Sequence, residues 1–108
     1  MGMQALVRLE RRSPVTAMPT ATLRFEGALD ALTAGDVRPR LEQVLAERPT
    51  NVVVDLHRVT VLDSTGVGAI VSLFKRLKAQ GGQMRVVGAQ GQPLAVLKLL
   101  KLDRVFGC

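Results

Sequence analysis

Apolar and polar residues alternate over QALVRLE, residues 4–10, and again over ATLRFEG, residues 21–27, where Leu23 and Phe25 share a side. A period of two predicts two half-buried strands, able to pair as a hairpin across a turn in residues 11–19, which hold two prolines. Over residues 33–46 the period lengthens: Val37, Leu41, Val44 and Leu45 recur at helical spacing, with Thr33 or Asp36 as N-cap. Pro39 suits only a first turn, so the regular helix is expected from near Asp36, and Pro49 stops it. NVVVDL, residues 51–56, is almost wholly apolar and rich in β-branched residues, as in a strand covered on both faces. From Val67, residues Ile70, Val71, Phe74 and Leu77 form one apolar stripe, with Lys75, Arg76 and Lys78 off it. Gly81 and Gly82 end that helix. QMRVVG, residues 83–88, reads as a further strand, and Pro93 opens a helix carried on by Leu94, Leu97, Leu100 and the stem of Lys101. Residues 103–108 read as a last short strand or a frayed tail. Strands alternating with helices predict an α/β fold, a mixed sheet with helices against it.

Composition narrows this picture. With 108 residues, 47% of them hydrophobic, the chain is expected to form one domain over residues 1–108 with a core that needs no staples. Three Phe and no Trp or Tyr make that core aliphatic. A single cysteine, Cys108, cannot build a disulfide framework, which fits a reducing cytoplasm. Nothing approaches the roughly 18 apolar residues of a membrane span, so no membrane insertion is expected. The N-terminus lacks a signal pattern, and Leu6 stands where myristoylation after Met1-Gly2 needs Ser or Thr.

The net charge of +6 is uneven. Seven basic residues face six acidic ones up to Arg48, but eight face three from Pro49 onward. A basic half raises nucleic acid as a partner. The basic residues are spread out, in KRLK and KLLKLDR, with no aromatic residues among them to stack bases, which favours a solvated surface. No nucleic-acid partner is expected.

Candidate chemistry is sparse. One His and one Cys, without a carboxylate cluster, leave no metal site, and no cofactor fingerprint is present. His57 is placed in a loop just after the strand of residues 51–56, as a surface or loop-structuring residue. Ser64 and His57 with Asp63 or Asp55 are close in sequence, but no G-x-S-x-G elbow surrounds the serine. GVG at residues 66–68 is not followed by the G-K-[ST] of a phosphate loop. An enzyme reading therefore has little support. Ser64, in LDSTGVG, sits where a strand hands over to a helix. Its hydroxyl is expected to cap the helix, an interaction worth about 1 kcal/mol, with Asp63 also a candidate cap. Alternatively it stands exposed at a positive helix end, where a phosphate is favourable. Gly66 and Gly68 would let another surface approach the backbone closely.

Val52 to Leu56, then Val59, then Asp63-Ser64-Thr65-Gly66-Val67-Gly68 resemble the signature of the STAS domain, and in particular of the bacterial anti-sigma factor antagonists. Gly27-Ala28-Leu29-Asp30 resembles that family's G-x-L-D, and Lys78 to Gly82 with Met84 to Val87 resembles its helix end and next strand. The likeness covers residues 4–106. It implies a single STAS-like domain, a small mixed β-sheet flanked by helices. It also implies a cytoplasmic, non-enzymatic switch that binds an anti-sigma factor serine kinase and so releases a sigma factor. The kinase would phosphorylate Ser64, with Thr65 as the neighbouring decoy, and a PP2C-type phosphatase would restore binding. Asp30, Asp63, Ser64, Thr65, Gly66 and Gly68 would meet the partner. Ala28, where the family often has an acidic or polar residue, Pro39 and the basic balance depart from the pattern. The short C-terminus implies that a final family helix is missing. The alternative is a constitutive STAS subunit of a membrane lipid-transport assembly, with Ser64 or Thr65 as an interface or capping residue.

Overall fold

The computed structural model describes the backbone of residues 6–12 and all of residues 20–107. Gln4, Ala5, residues 13–19 of the turn expected over residues 11–19, and Cys108 lie outside the described residues, while Arg11 and Arg12, expected in that turn, belong to the first strand. Strands β1 (Leu6–Arg12), β2 (Thr20–Leu29), β3 (Asn51–Leu62) and β4 (Gln83–Val87) form one sheet in the order β1-β2-β3-β4. β1 and β2 are antiparallel, as the hairpin expectation requires; β2, β3 and β4 run parallel. Helices α1 (Ala34–Ala46), α2 (Ser64–Ala79), α3 (Gly91–Leu99) and α4 (Leu102–Phe106) complete the mixed α/β fold.

One face of the sheet carries the core. Ala21, Leu23 and Phe25 of β2, Val52 and Val54 of β3, and Met84 and Val86 of β4 are buried there, in one cluster with Val37, Leu41, Val44 and Leu45 of α1 and Ile70, Leu73 and Leu77 of α2. Alternate residues on the other face stay open or half-open: Arg24 pairs with Asp55 at 3.6 Å and Arg58 with Glu26 at 3.8 Å. Residues 51–56 are therefore covered on one face, not both. Their apolar composition reflects a central position between two parallel neighbours.

β3 also runs six residues further than expected, to Leu62, and His57 is a strand residue, not a loop residue. Two register shifts against β2 explain the miss. Arg24 faces Asp55 but Glu26 faces Arg58; Gly27 faces Val59 but Ala28 faces Val61. Each shift puts one extra residue into β3, a β-bulge, and Gly27 takes a φ of 80° at the second. Leu56, Val59 and Leu62 are then buried three residues apart, so the period of two disappears.

α1 begins at Ala34, two residues earlier than Pro39 suggested. Thr33 occupies the N-cap position but makes no side-chain cap; its hydroxyl donates to Ala28 O at 2.9 Å. α2 ends on Gly81, at φ 81°, with Gly82 N–H donating to Leu77 O at 2.8 Å and Gly81 N–H to Lys78 O at 3.0 Å. α3 stops at Leu99, before Leu100 and Lys101, because Lys101 is left-handed, at φ 58°. The chain then turns into α4, so the C-terminal segment is a short helix rather than a strand or tail. Phe106 is its anchor: it is 1% exposed and meets Phe74 edge to face, ring centroids 5.4 Å apart.

Phe106→Ala is expected to cost about 3–5 kcal/mol, as for other buried phenylalanines. Urea denaturation measures this, and a change below about 1 kcal/mol would mean that α4 does not hold the core together.

Candidate functional site

The C-terminal end of β3 delivers Asp63 to the start of α2, and Asp63 ties three segments together. Its N–H donates to Leu29 O at 3.3 Å, at the end of β2. One carboxylate oxygen accepts from Gly66 N–H at 2.9 Å, capping α2. The other accepts from Ala31 N–H at 3.3 Å, holding the loop between β2 and α1. The cap is therefore Asp63, not Ser64. A carboxylate suits this position because the first N–H groups of a helix lack intrahelical partners and carry partial positive charge.

Ser64 is the first residue of α2 and is exposed, and its hydroxyl has no hydrogen bond among the described residues. Thr65 is exposed beside it. Gly66 and Gly68, alike in sequence, differ in place. Gly66 is buried: a Cβ there would lie 2.2 Å from Leu29 O and 2.9 Å from Leu62 Cδ1, so α2 can start against β2 only with glycine. Gly68 is exposed, and a Cβ there would meet nothing within 4 Å. An exposed glycine inside a helix costs about 1 kcal/mol relative to Ala, and no contact within the chain requires it.

Asp30 shapes the neighbouring loop. Its carboxylate accepts from Leu32 N–H at 2.9 Å and Thr33 N–H at 3.2 Å, while its own N–H donates to Thr33 Oγ1 at 3.0 Å. The structure thus brings Asp30, Asp63, Ser64, Thr65 and Gly66 to one end of the sheet. It leaves His57 apart from Ser64: His57 is exposed, on a stretch of β3 five residues before Leu62. From Thr65 a groove of about 340 Å³ runs between α1 and α2, rimmed by Ala34, Arg38, Glu42, Gly68 and Arg76. Arg76 and Glu42 bridge it with paired contacts, one of them 2.9 Å. That hydrogen bond holds the Glu42 carboxyl below its usual range and the Arg76 guanidinium above its own.

Two residues that the sequence pattern did not single out fix the same end of the sheet. β4 pairs with β3 only as far as Asp55, which leaves the outer edge of residues 56–62 without a strand. Gln92 fills it, accepting from Leu62 N–H and donating to Leu62 O, both at 2.8 Å. Gln90 donates to His57 O at 3.1 Å. Their spacing carried no helix or strand signal; only the unpaired strand edge gives them meaning.

A family model described as "STAS domain" matches residues 8–108. The chain is 37% identical over 64 residues to an anti-sigma-B factor antagonist of Bacillus subtilis, covering 59% of this chain and 58% of the relative, so the match spans a little over half of that protein's length. It is 28% identical over 86 residues to the anti-sigma-F factor antagonist RsfB of Mycobacterium tuberculosis, covering 80% of this chain and 70% of that one. In fold it is similar to an anti-sigma factor antagonist from Mycobacterium paratuberculosis, with a TM-score of 0.81 at 22% identity over 94% of this chain and 82% of that one. It is also similar to SpoIIAA of Bacillus in its phosphorylated form, with a TM-score of 0.69 at 22% identity over 92% and 86% of the two chains.

Asp63→Ala is expected to lower stability by about 1–2 kcal/mol, and Ser64→Ala to change it by less than about 0.5 kcal/mol. Chemical denaturation of both variants decides this; the reverse order would make Ser64 the cap.

Proposed function

The chain belongs to the STAS domain family, and from that premise we propose that it is an anti-sigma factor antagonist whose binding is turned off by phosphorylation of Ser64. The observation that carries this reading is the division of labour at the start of α2. Asp63 supplies the cap, so the exposed Ser64 hydroxyl has no task within the fold and is open to a modifying enzyme. The names of the relatives support an anti-sigma factor as the partner class; that this partner is a serine kinase, with a PP2C-type phosphatase as its counterpart, is part of the proposal.

A phosphate on Ser64 adds about −1.5 to −2 charge at neutral pH. At the first position of α2 the helix end favours that charge, so the fold accommodates it. At an interface the same charge stands beside Asp63 and meets whatever acidic group or nucleotide phosphate the partner presents. Like charges brought together there cost several kcal/mol, and every 1.4 kcal/mol is tenfold in affinity. Thr65 and Gly68 extend the contact surface along α2, where the bare backbone at Gly68 admits a close approach. Asp30 and Gly66 hold that surface from below, through the loop hydrogen bonds and the contact with β2. The chain itself supplies no catalytic group on this reading, and its place is the cytoplasm, where a sigma factor acts.

Affinity capture with the Ser64→Ala chain should recover a kinase-type anti-sigma factor, and that protein with ATP should label wild type on Ser64. Labelling of Ser64→Ala as strong as of wild type overturns the assignment. Recovery of transporter subunits with no kinase would favour the constitutive-subunit reading. Ser64→Asp should bind the captured regulator at least tenfold more weakly than Ser64→Ala.

A further inference from the structure

Leu32 is 90% exposed, more than any other large apolar side chain among the described residues. A single exposed leucine is ordinary on a protein surface, and two circumstances set this one apart. The first is rigidity. Leu32 N–H donates to the Asp30 carboxylate at 2.9 Å, Thr33 N–H to the same oxygen at 3.2 Å, and the buried Thr33 hydroxyl to Ala28 O at 2.9 Å. The backbone that carries Leu32 is thus held in place while its side chain projects into solvent. The second is position. The adjacent Ala31 N–H is bonded to the Asp63 carboxylate whose other oxygen caps the helix that begins at Ser64. Two residues beyond Leu32, Ala34 rims the same groove as Thr65 and Gly68.

We propose that Leu32 is the apolar anchor of the surface that Ser64 switches, and that it seats in an apolar pocket of the kinase-type regulator, beside the point where that regulator meets the Ser64 hydroxyl. This inference rests on the reading of Ser64 given above. With the backbone already held, binding has only the rotamers of Leu32 left to fix, and a smaller ordering cost lets more of the apolar burial turn into affinity. Leu32 and Ser64 then have different tasks. Leu32 gives the complex its lifetime and its choice of partner, through the fit of one pocket. Ser64 gives it a charge that can be added or removed. Since the Asp63 carboxylate joins the two segments, the partner meets anchor and switch on one surface.

The test uses the purified full chain and the regulator recovered with Ser64→Ala. Leu32→Ala should weaken binding at least tenfold, or about 1.4 kcal/mol, with an unchanged denaturation midpoint, because the side chain has no partner in the fold. In the phosphorylation assay Leu32→Ala should raise the KM for the chain and leave kcat unaltered. Leu99→Ala is the control: Leu99 is 82% exposed, but it ends α3, whose opposite end is the one bonded to Leu62. Leu99→Ala should bind within twofold of wild type. Binding by Leu32→Ala within twofold of wild type overturns the inference while leaving the Ser64 reading intact. An equal loss in Leu99→Ala also overturns it, since the effect would then be general apolar adhesion. If Ser64→Ala captures no kinase-type regulator, the Ser64 reading fails and the anchor falls with it.

Discussion

The Asp63 carboxylate is the constraint on which the site depends. It closes the first turn of α2 through Gly66 and secures the β2–α1 loop through Ala31, while its backbone reaches the end of β2 at Leu29. Neutral side chains could cap a helix as well, but a serine or threonine there would offer a single oxygen. The two oxygens of a carboxylate let one residue serve a helix and a loop from a different part of the chain. Gly66 is the steric half of the same arrangement. With Leu29 O where a Cβ would lie, α2 approaches β2 closely enough for the carboxylate to reach both partners.

Much of this was legible in the sequence, for identifiable reasons. The strands β1, β2 and β4, and the helices α1 and α2, announce themselves through their periods, and G-x-L-D with D-S-T-G marked both segments of the site. What escaped notice lies where one element depends on another. Residues 57–62 lost their alternation because two bulges against β2 shift the register, a feature of pairing rather than of local pattern. Ser64 and Asp63 were both candidate caps, because capping preference alone does not separate serine from aspartate. Asp63 takes the role because the strand ends one residue before it. α4 was missed since five residues are too few to display a period, and its stability comes from Phe106 packing on Phe74. Gln90 and Gln92 had no signal at all, since their partners are backbone groups about thirty residues away.

On the proposed reading, phosphorylation of Ser64 has to change a surface without unfolding it. Had Ser64 been the cap, phosphorylation would have replaced an internal hydrogen bond and disturbed the helix with it. With the cap on the preceding residue, the two requirements are met by different side chains. In the groove between α1 and α2, Glu42 and Arg76 satisfy one another, and Arg38 on the same rim leaves the groove net positive.

The two bulges in β3 carry a consequence for how such a chain can vary. Between Asp55 and Leu62 the strand must supply two residues more than its neighbour to bring Leu62 inward and Asp63 onto the Ala31 and Gly66 amides. The exposed residues His57, Arg58, Thr60 and Val61 can change identity with little effect on this geometry. Their number cannot. A deletion of one residue would turn the end of the strand over and aim the carboxylate away from both amides, whichever residue was lost. The segment is therefore a spacer, defined by its count more than by its chemistry, and a lineage could drift freely through its letters while being unable to drop one.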